Sequence, residues 1–401
     1  VGKWEMVRLS DVLYETITGE WGAECTNGEV GTKVLRTTNF TNSGIINFDN
    51  VVERIILETK IEKKKLKRYD IILEKSGGSD NQPVGRVVFF DNAIDDVYLC
   101  NNFTQILRIN QSMAFPKYIF LFLFYLHKNG ITELMQNKTT GIRNLQVKRY
   151  MALEIPLPPL QVQQQVADLL DRASALIEKR KAQIEKLDLL IKAQFIEMFG
   201  DPVTNPKGWE IRTLSDITTS RLGKMLDAKQ QTGKSSFSYL ANYNVQWFRF
   251  ELSALNEMDF SEADQKEFEL KKGDLLVCEG GEVGRCAIWN DEIPSCYFQK
   301  ALHRVRCNKE IILPEYLARW FYNRAKYNRF KDIIGQATIA HLPGVKLKQL
   351  RIPVPSLTLQ NKFADFFQQV EAQKSQLKKS LDKLELNYKS LMQKCFRGEI
   401  F

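Results

Sequence analysis

Between residues 155 and 201 apolar side chains recur every seven positions. Leu170, Ile177, Ile184, Ile191 and Met198 form one row, and Val166, Ala173 and Leu187 form most of a second, interrupted by Arg180 and Gln194. A seam sustained over several turns, with no Gly until Gly200, predicts one long helix of the coiled-coil type. About 40 residues at 1.5 Å each make a rod of roughly 60 Å. Pro158 and Pro159 suit its start, where backbone N–H groups lack helical partners anyway, and Gly200 with Pro202 suits its stop. The pattern returns from residue 352. Phe363, Val370, Leu377, Leu384 and Leu391 make one row, and Phe367, Leu381 and Tyr388 the other. Two in-phase rods most simply pack on each other; the alternative seats each against a different globular domain.

Ahead of each rod the period shortens to that of strands. Runs at 34–35, 71–73, 86–90 and 105–109 have counterparts at 239–240, 275–278, 285–289 and 302–306, and an apolar helix follows at 116–127 and at 314–322. Short motifs repeat with them. Trp4-Glu5 and Leu9-Ser10-Asp11-Val12 return as Trp209-Glu210 and Leu214-Ser215-Asp216-Ile217. Leu66-Lys67-x-x-Asp70 returns as Leu270-Lys271-x-x-Asp274, and Val84-Gly85-Arg86 as Val283-Gly284-Arg285. The offset drifts from 205 to 197 residues, and most of the loss falls at 76–83. The chain thus divides into a first mixed α/β domain (1–154), a central helix (155–201), a linker with a second α/β domain (202–351) and a C-terminal helix (352–401). Frames align between the copies while the stretches 13–65 and 218–269 barely do, which suggests one task performed on two different targets.

Composition narrows the classes. The longest apolar run, YIFLFLFYL at 118–126, is far too short for a membrane span, and no secretory leader is recognisable ahead of Trp4. Seven Cys without a C-x-x-C pair read as reduced cytosolic thiols. The net charge of +9 is compatible with a polyanionic partner. Catalytic patterns are missing: no metal-spaced His, no phosphate-binding G-x-x-x-x-G-K, and no Asp/Glu-x-Lys after Asp70 or Asp274, which read as turn residues before buried strands. Residues 205–208 (NPKG) read as a linker turn, and 279–284 as a tight connection between strands. Lys63-Lys64-Lys65 reads as a solvated face.

The loops carry residue types that read nucleic acid. Arg and Lys neutralise phosphate or bond guanine, and Asn and Gln suit adenine in the major groove. Candidates in the first half are Arg36, Thr37, Asn39, Lys75, Ser79, Asn81, Arg86, Lys138, Thr140, Arg143 and Asn144. In the second they are Lys224, Asn242, Asn244, Glu279, Arg285, Gln336, Thr338 and His341. Each of these loops reads equally well as a plain solvated loop.

Taken together, W-E-x3-L-S-D at 4–11, L-K-x-x-D, I-P-L-P-P-L-x-x-Q at 155–163, F-G-D-P-V-T-N-P-K-G-W-E at 199–210 and the closing F-R-G-E at 396–399 resemble the specificity subunits of type I restriction–modification systems. Gln163-Gln164 and Gln360-Asn361 depart from the family's usual Glu-Gln. The resemblance implies two target recognition domains, each reading one half of an asymmetric bipartite site in double-stranded DNA. It also implies an antiparallel coiled coil that spaces them and docks methyltransferase subunits, with a restriction subunit as a further, optional partner. S-adenosylmethionine, ATP and Mg would belong to those partners, leaving this chain without cofactor or metal, non-catalytic and cytoplasmic. The competing reading is a repeat-built endonuclease or methyltransferase with its own unrecognised site.

Overall fold

The computed structural model describes residues 4–26, 28–79, 81–91, 96–139, 142–227, 231–326, 330 and 341–401. They form two compact units, one of residues 1–180 with 380–401 and one of residues 181–379. Each long helix therefore contributes to both units, where the sequence reading makes it a segment of its own.

In the first unit an antiparallel sheet runs in the order Leu13–Thr18, Thr104–Ile109, Asp70–Glu74, Val87–Phe90. Asp70–Glu74 is buried along its whole length, as its unbroken Ile71-Ile72-Leu73 run requires. The helix Pro116–Lys128 packs on this sheet with Pro116 in its first turn. A second sheet orders Ala23–Glu24, Val52–Ile55, Thr32–Leu35 and Tyr98–Cys100. A third, small one orders Gln136–Thr139, Ile142–Leu145 and Ser76–Gly78. The second unit repeats the main sheet as Thr218–Leu222, Leu302–Cys307, Leu275–Cys278 and Cys286–Ile288, backed by the helix Pro314–Lys326. A smaller sheet there holds Asn256–Asp259, Ser236–Leu240 and Tyr297–Phe298.

The repeated motifs are repeated bonds. Asp70 caps its turn by accepting from the Lys67 N–H at 2.7 Å, and both its oxygens take Arg108 at 2.9 Å. Asp274 accepts from the Lys271 N–H at 2.8 Å and from Arg306 at 2.6 and 2.7 Å. Tyr118 Oη donates to the Pro156 carbonyl at 2.8 Å, and Tyr316 Oη to that of Pro353 at 2.7 Å. Gly85 and Gly284 both have positive φ, and a Cβ on either would fall 2.7 Å from Thr132 or Phe330. Only glycine fits there, which accounts for the repeated Val-Gly-Arg.

The two rods are the helices Leu160–Phe199 and Leu357–Arg397. In the first unit Val166, Ala167 and Leu170 from the start of one share a core with Met392, Cys395 and Phe396 from the end of the other. In the second unit Ile191, Phe195 and Phe199 meet Phe363, Phe367 and Val370. Early residues of one helix pack with late residues of the other in both cases, so the pairing is antiparallel. The ends also seat in the globular cores. Phe396 lies 5.6 Å from the Tyr118 ring, and Phe199 lies 4.8 Å from that of Tyr316. This is why Phe-Gly-Asp and Phe-Arg-Gly-Glu close the two rods. Lys374 fills the gap in the second heptad row, buried against Asp188 (2.5 Å) and Glu371 (2.9 Å); a polar pair in a seam fixes register.

The glutamines at the rod starts, Gln163 and Gln360, are built in. Buried Gln163 accepts from the Phe115 N–H at 2.7 Å and donates to the Pro158 carbonyl at 2.7 Å. Gln360 repeats this with Leu313 and Pro355, both at 2.8 Å. An ionised carboxylate could accept the first bond but not donate the second.

Candidate nucleic-acid interface

Backbone pairing draws the candidate loops of each unit together. In the first, Asn144 pairs with Ser76 in the small sheet, the Leu145 N–H donates to the Lys75 carbonyl at 2.8 Å, and the Lys75 N–H donates to that of Phe103 at 2.9 Å. In the second, His341 bridges to Gly280, the Leu342 N–H donates to the Glu279 carbonyl at 2.7 Å, and the Glu279 N–H donates to that of Ala301 at 3.0 Å. Arg86 then ties in the third loop by donating to the Thr37 carbonyl at 3.1 Å, as Arg285 does to that of Asn242 at 3.0 Å. One scaffold is thus made twice, rung for rung.

Five of the candidates hold this scaffold and are removed from the reading surface. Asn39 is buried. Its Oδ1 accepts from the Arg36 N–H at 2.9 Å, and its Nδ2 donates to the Asn47 and Asp49 carbonyls. Asn244 does the same with Ala241, Glu251 and Ala254. Arg86 spends its guanidinium on the buried Glu74, at 2.7 and 2.8 Å, and on the 37–40 loop. Burial pushes the Glu74 carboxyl up even against that partner. Lys224 donates to the Asp259 carbonyl at 2.7 Å and to Asp264 at 2.6 Å, which anchors the helix Glu262–Phe268. Glu279 is buried with its carboxylate 3.6 Å from His341 and 3.9 Å from His303.

Other candidates sit at the rim. Ser79 and Asn81 are exposed on the hairpin closed by the Ser79–Gln82 bridge, and His341 is exposed. Asn144 accepts from Ser76 Oγ at 2.5 Å. Arg36 is half-buried and donates to the Asn50 carbonyl at 3.1 Å, beside half-buried Thr37. Asn242 links the loops, accepting from Arg285 at 2.7 Å and donating to the Gly280 carbonyl at 3.0 Å. Lys138 and half-buried Arg143 are partners in the backbone register of the hairpin. Thr140, Gln336 and Thr338 lie outside the described residues. Burial lowers the pKa of half-buried Lys75, so a neighbouring anion would relieve a standing cost.

Equivalent rungs carry opposite chemistry. Lys75 stands where the second unit has Glu279, and Asn144 where it has His341. Sequence reading passed over Phe103, whose ring is 42% exposed on the rung where the second unit has Ala301. The signal available was an aromatic directly after Asn101-Asn102, in a turn between strands. The polar run Lys63-Lys64-Lys65 is partly spent on Glu20 and Glu62.

These features define an internally duplicated, mixed α/β protein with paired long helices and one variable polar face per copy. The family model for the type I restriction modification DNA specificity domain matches residues 2–186 and 206–386, and the chain belongs to that family. A putative type I restriction enzyme specificity subunit of Haemophilus influenzae is 26% identical over 63% of this chain. The match spans 64% of that relative, just under two thirds of its length. The EcoKI specificity subunit of Escherichia coli K12 is 23% identical over 84% of this chain and 76% of its own. The crystal structure of a type I restriction–modification S subunit from M. genitalium shares the fold, with a TM-score of 0.57 at 16% identity over 98% of this chain and 96% of that one. Among the described residues no helix is long and apolar enough to cross a membrane.

Proposed function

We propose that this chain is the DNA-sequence specificity subunit of a type I restriction–modification complex, each unit reading one half of a bipartite site in double-stranded DNA. The observation that carries this is the duplicated rung scaffold with unlike side chains on equivalent rungs. A fixed frame holds the reading face, and Asn144 against His341, or half-buried Lys75 where the second unit buries Glu279, changes what the face bonds. Lys and Asn suit guanine and adenine edges. Methyl transfer and cleavage then belong to partner subunits that bring S-adenosylmethionine, ATP and Mg, and the complex works in the cytoplasm. Leu176, Leu189, Leu190 and Leu386 are exposed on the two long helices and provide apolar surface for docking methyltransferase subunits. The competing enzyme reading loses its best acids, because Asp70 and Asp274 are buried and committed to an arginine and a turn N–H.

The test is selection from a random duplex library with the chain and its methyltransferase partner, beside incubation of the chain alone with S-adenosylmethionine and Mg. A two-part motif with an unspecified spacer, and no modified or cut product from the chain alone, is the expected result. Product from the chain alone would overturn it.

A further inference from the structure

Phe103 is an aromatic side chain that the fold does not need. It occupies a turn pinned at both ends: the Asn101 N–H donates to the Leu35 carbonyl at 2.9 Å, and the Thr104 N–H and hydroxyl donate to the Asn101 carbonyl at 3.0 and 2.7 Å. The second unit closes the equivalent turn with the Gln299 N–H on the Leu240 carbonyl at 3.0 Å and the Leu302 N–H on that of Gln299 at 3.2 Å, although Ala301 there has a φ of 103°. There the residue is Ala301. The Phe103 carbonyl accepts from the Lys75 N–H just as the Ala301 carbonyl accepts from that of Glu279, so the rung forms without a ring.

The ring joins neither hydrophobic cluster of its unit and is 42% exposed. What lies beneath it is Gly77, in the left-handed region at φ 96°; a Cβ there would meet the ring at 3.4 Å. Glycine thus leaves a bare backbone floor on which the ring rests. Around it stand half-buried Lys75 and the Ser76–Asn144 hydrogen bond. A water-facing apolar group amid polar groups on a DNA-reading face has one apolar counterpart on major-groove base edges, the thymine methyl. A ring lying on a glycine floor is also backed rather than projecting, so it suits contact with a groove edge better than wedging between base pairs.

We infer that Phe103 is a specificity-determining residue that packs on a thymine 5-methyl group in the half-site read by the first unit, and that the second unit, with Ala301, makes no such contact. This rests on the function proposed above.

The test uses the chain assembled with its methyltransferase partner and duplexes carrying the motif that the complex selects. Each thymine is replaced in turn by deoxyuridine, which lacks only the methyl group. For the natural chain, replacement at one thymine, in one half only, should weaken binding roughly fourfold, the worth of one buried methyl-sized group. Phe103→Ala should bind the thymine duplex about that much more weakly and be indifferent to the replacement at that position, whereas Phe103→Leu should keep part of the sensitivity. An equal loss for Phe103→Ala on thymine and deoxyuridine duplexes would mark the ring as packing only and overturn the inference. So would a half-site without an A·T pair, or the same Phe103-dependent sensitivity in both halves. If the natural chain selects no motif at all, the proposed function fails instead.

Discussion

A buried asparagine amide has two donors and one acceptor to satisfy, and Asn39 meets them with one backbone N–H and two carbonyls of its own loop. The same amide could bond adenine equally well, so residue type alone could not separate the two roles. Burial separates them, and burial is set by how 36–50 folds back on itself. Histidine shows the same dependence on place. His127 is packed between its helix and Thr132, whose Oγ1 lies 2.8 Å from Nδ1, and burial pushes its pKa down to about 4. The unfolded chain takes up that proton below about pH 6.5 while the folded one stays neutral, so stability falls as pH drops from 6.5 toward 4. After allowance for partial exposure, about 2 kcal/mol is lost across that window. The natural chain minus His127→Gln in unfolding free energy should slope with pH between 7.5 and 4.5. A flat difference would show that the imidazole is not held neutral.

At the scale of elements, periodicity was the most legible signal. The heptad rows place both long helices within a few residues of Leu160–Phe199 and Leu357–Arg397, and unbroken apolar runs mark the buried strands. The hairpin Gln136–Thr139 and Ile142–Leu145 reads as loop because six of its eight residues are polar, and its pairing comes from a distant edge at Ser76–Gly78. Nor could spacing reveal which core each rod end enters. Phe396 closes the first unit's core and Phe199 the second's. Phe396→Ala should therefore cost about 3–5 kcal/mol and speed hydrogen exchange in the helix Pro116–Lys128 while sparing Pro314–Lys326. Phe199→Ala should do the reverse. The same exchange pattern for both variants would contradict the cross-assignment.

For the whole molecule, duplication separates what must stay constant from what can vary. The Asp70 and Asp274 turns, the two Tyr–Pro bonds, the Gln163 and Gln360 locks and the left-handed Gly85 and Gly284 recur because each satisfies a buried group or a strained backbone. Phe103 and Asn144 change to Ala301 and His341, because the rungs form from backbone groups and demand neither side chain. Independent reading by the two units is the central claim. Its most direct test is to replace residues 4–150 with the first domain of another family member, leaving both long helices intact, and to sequence methylated DNA from cells that carry the hybrid complex. One half of the methylated motif should change while the other stays as it was; a motif altered in both halves, or in neither, would contradict the account.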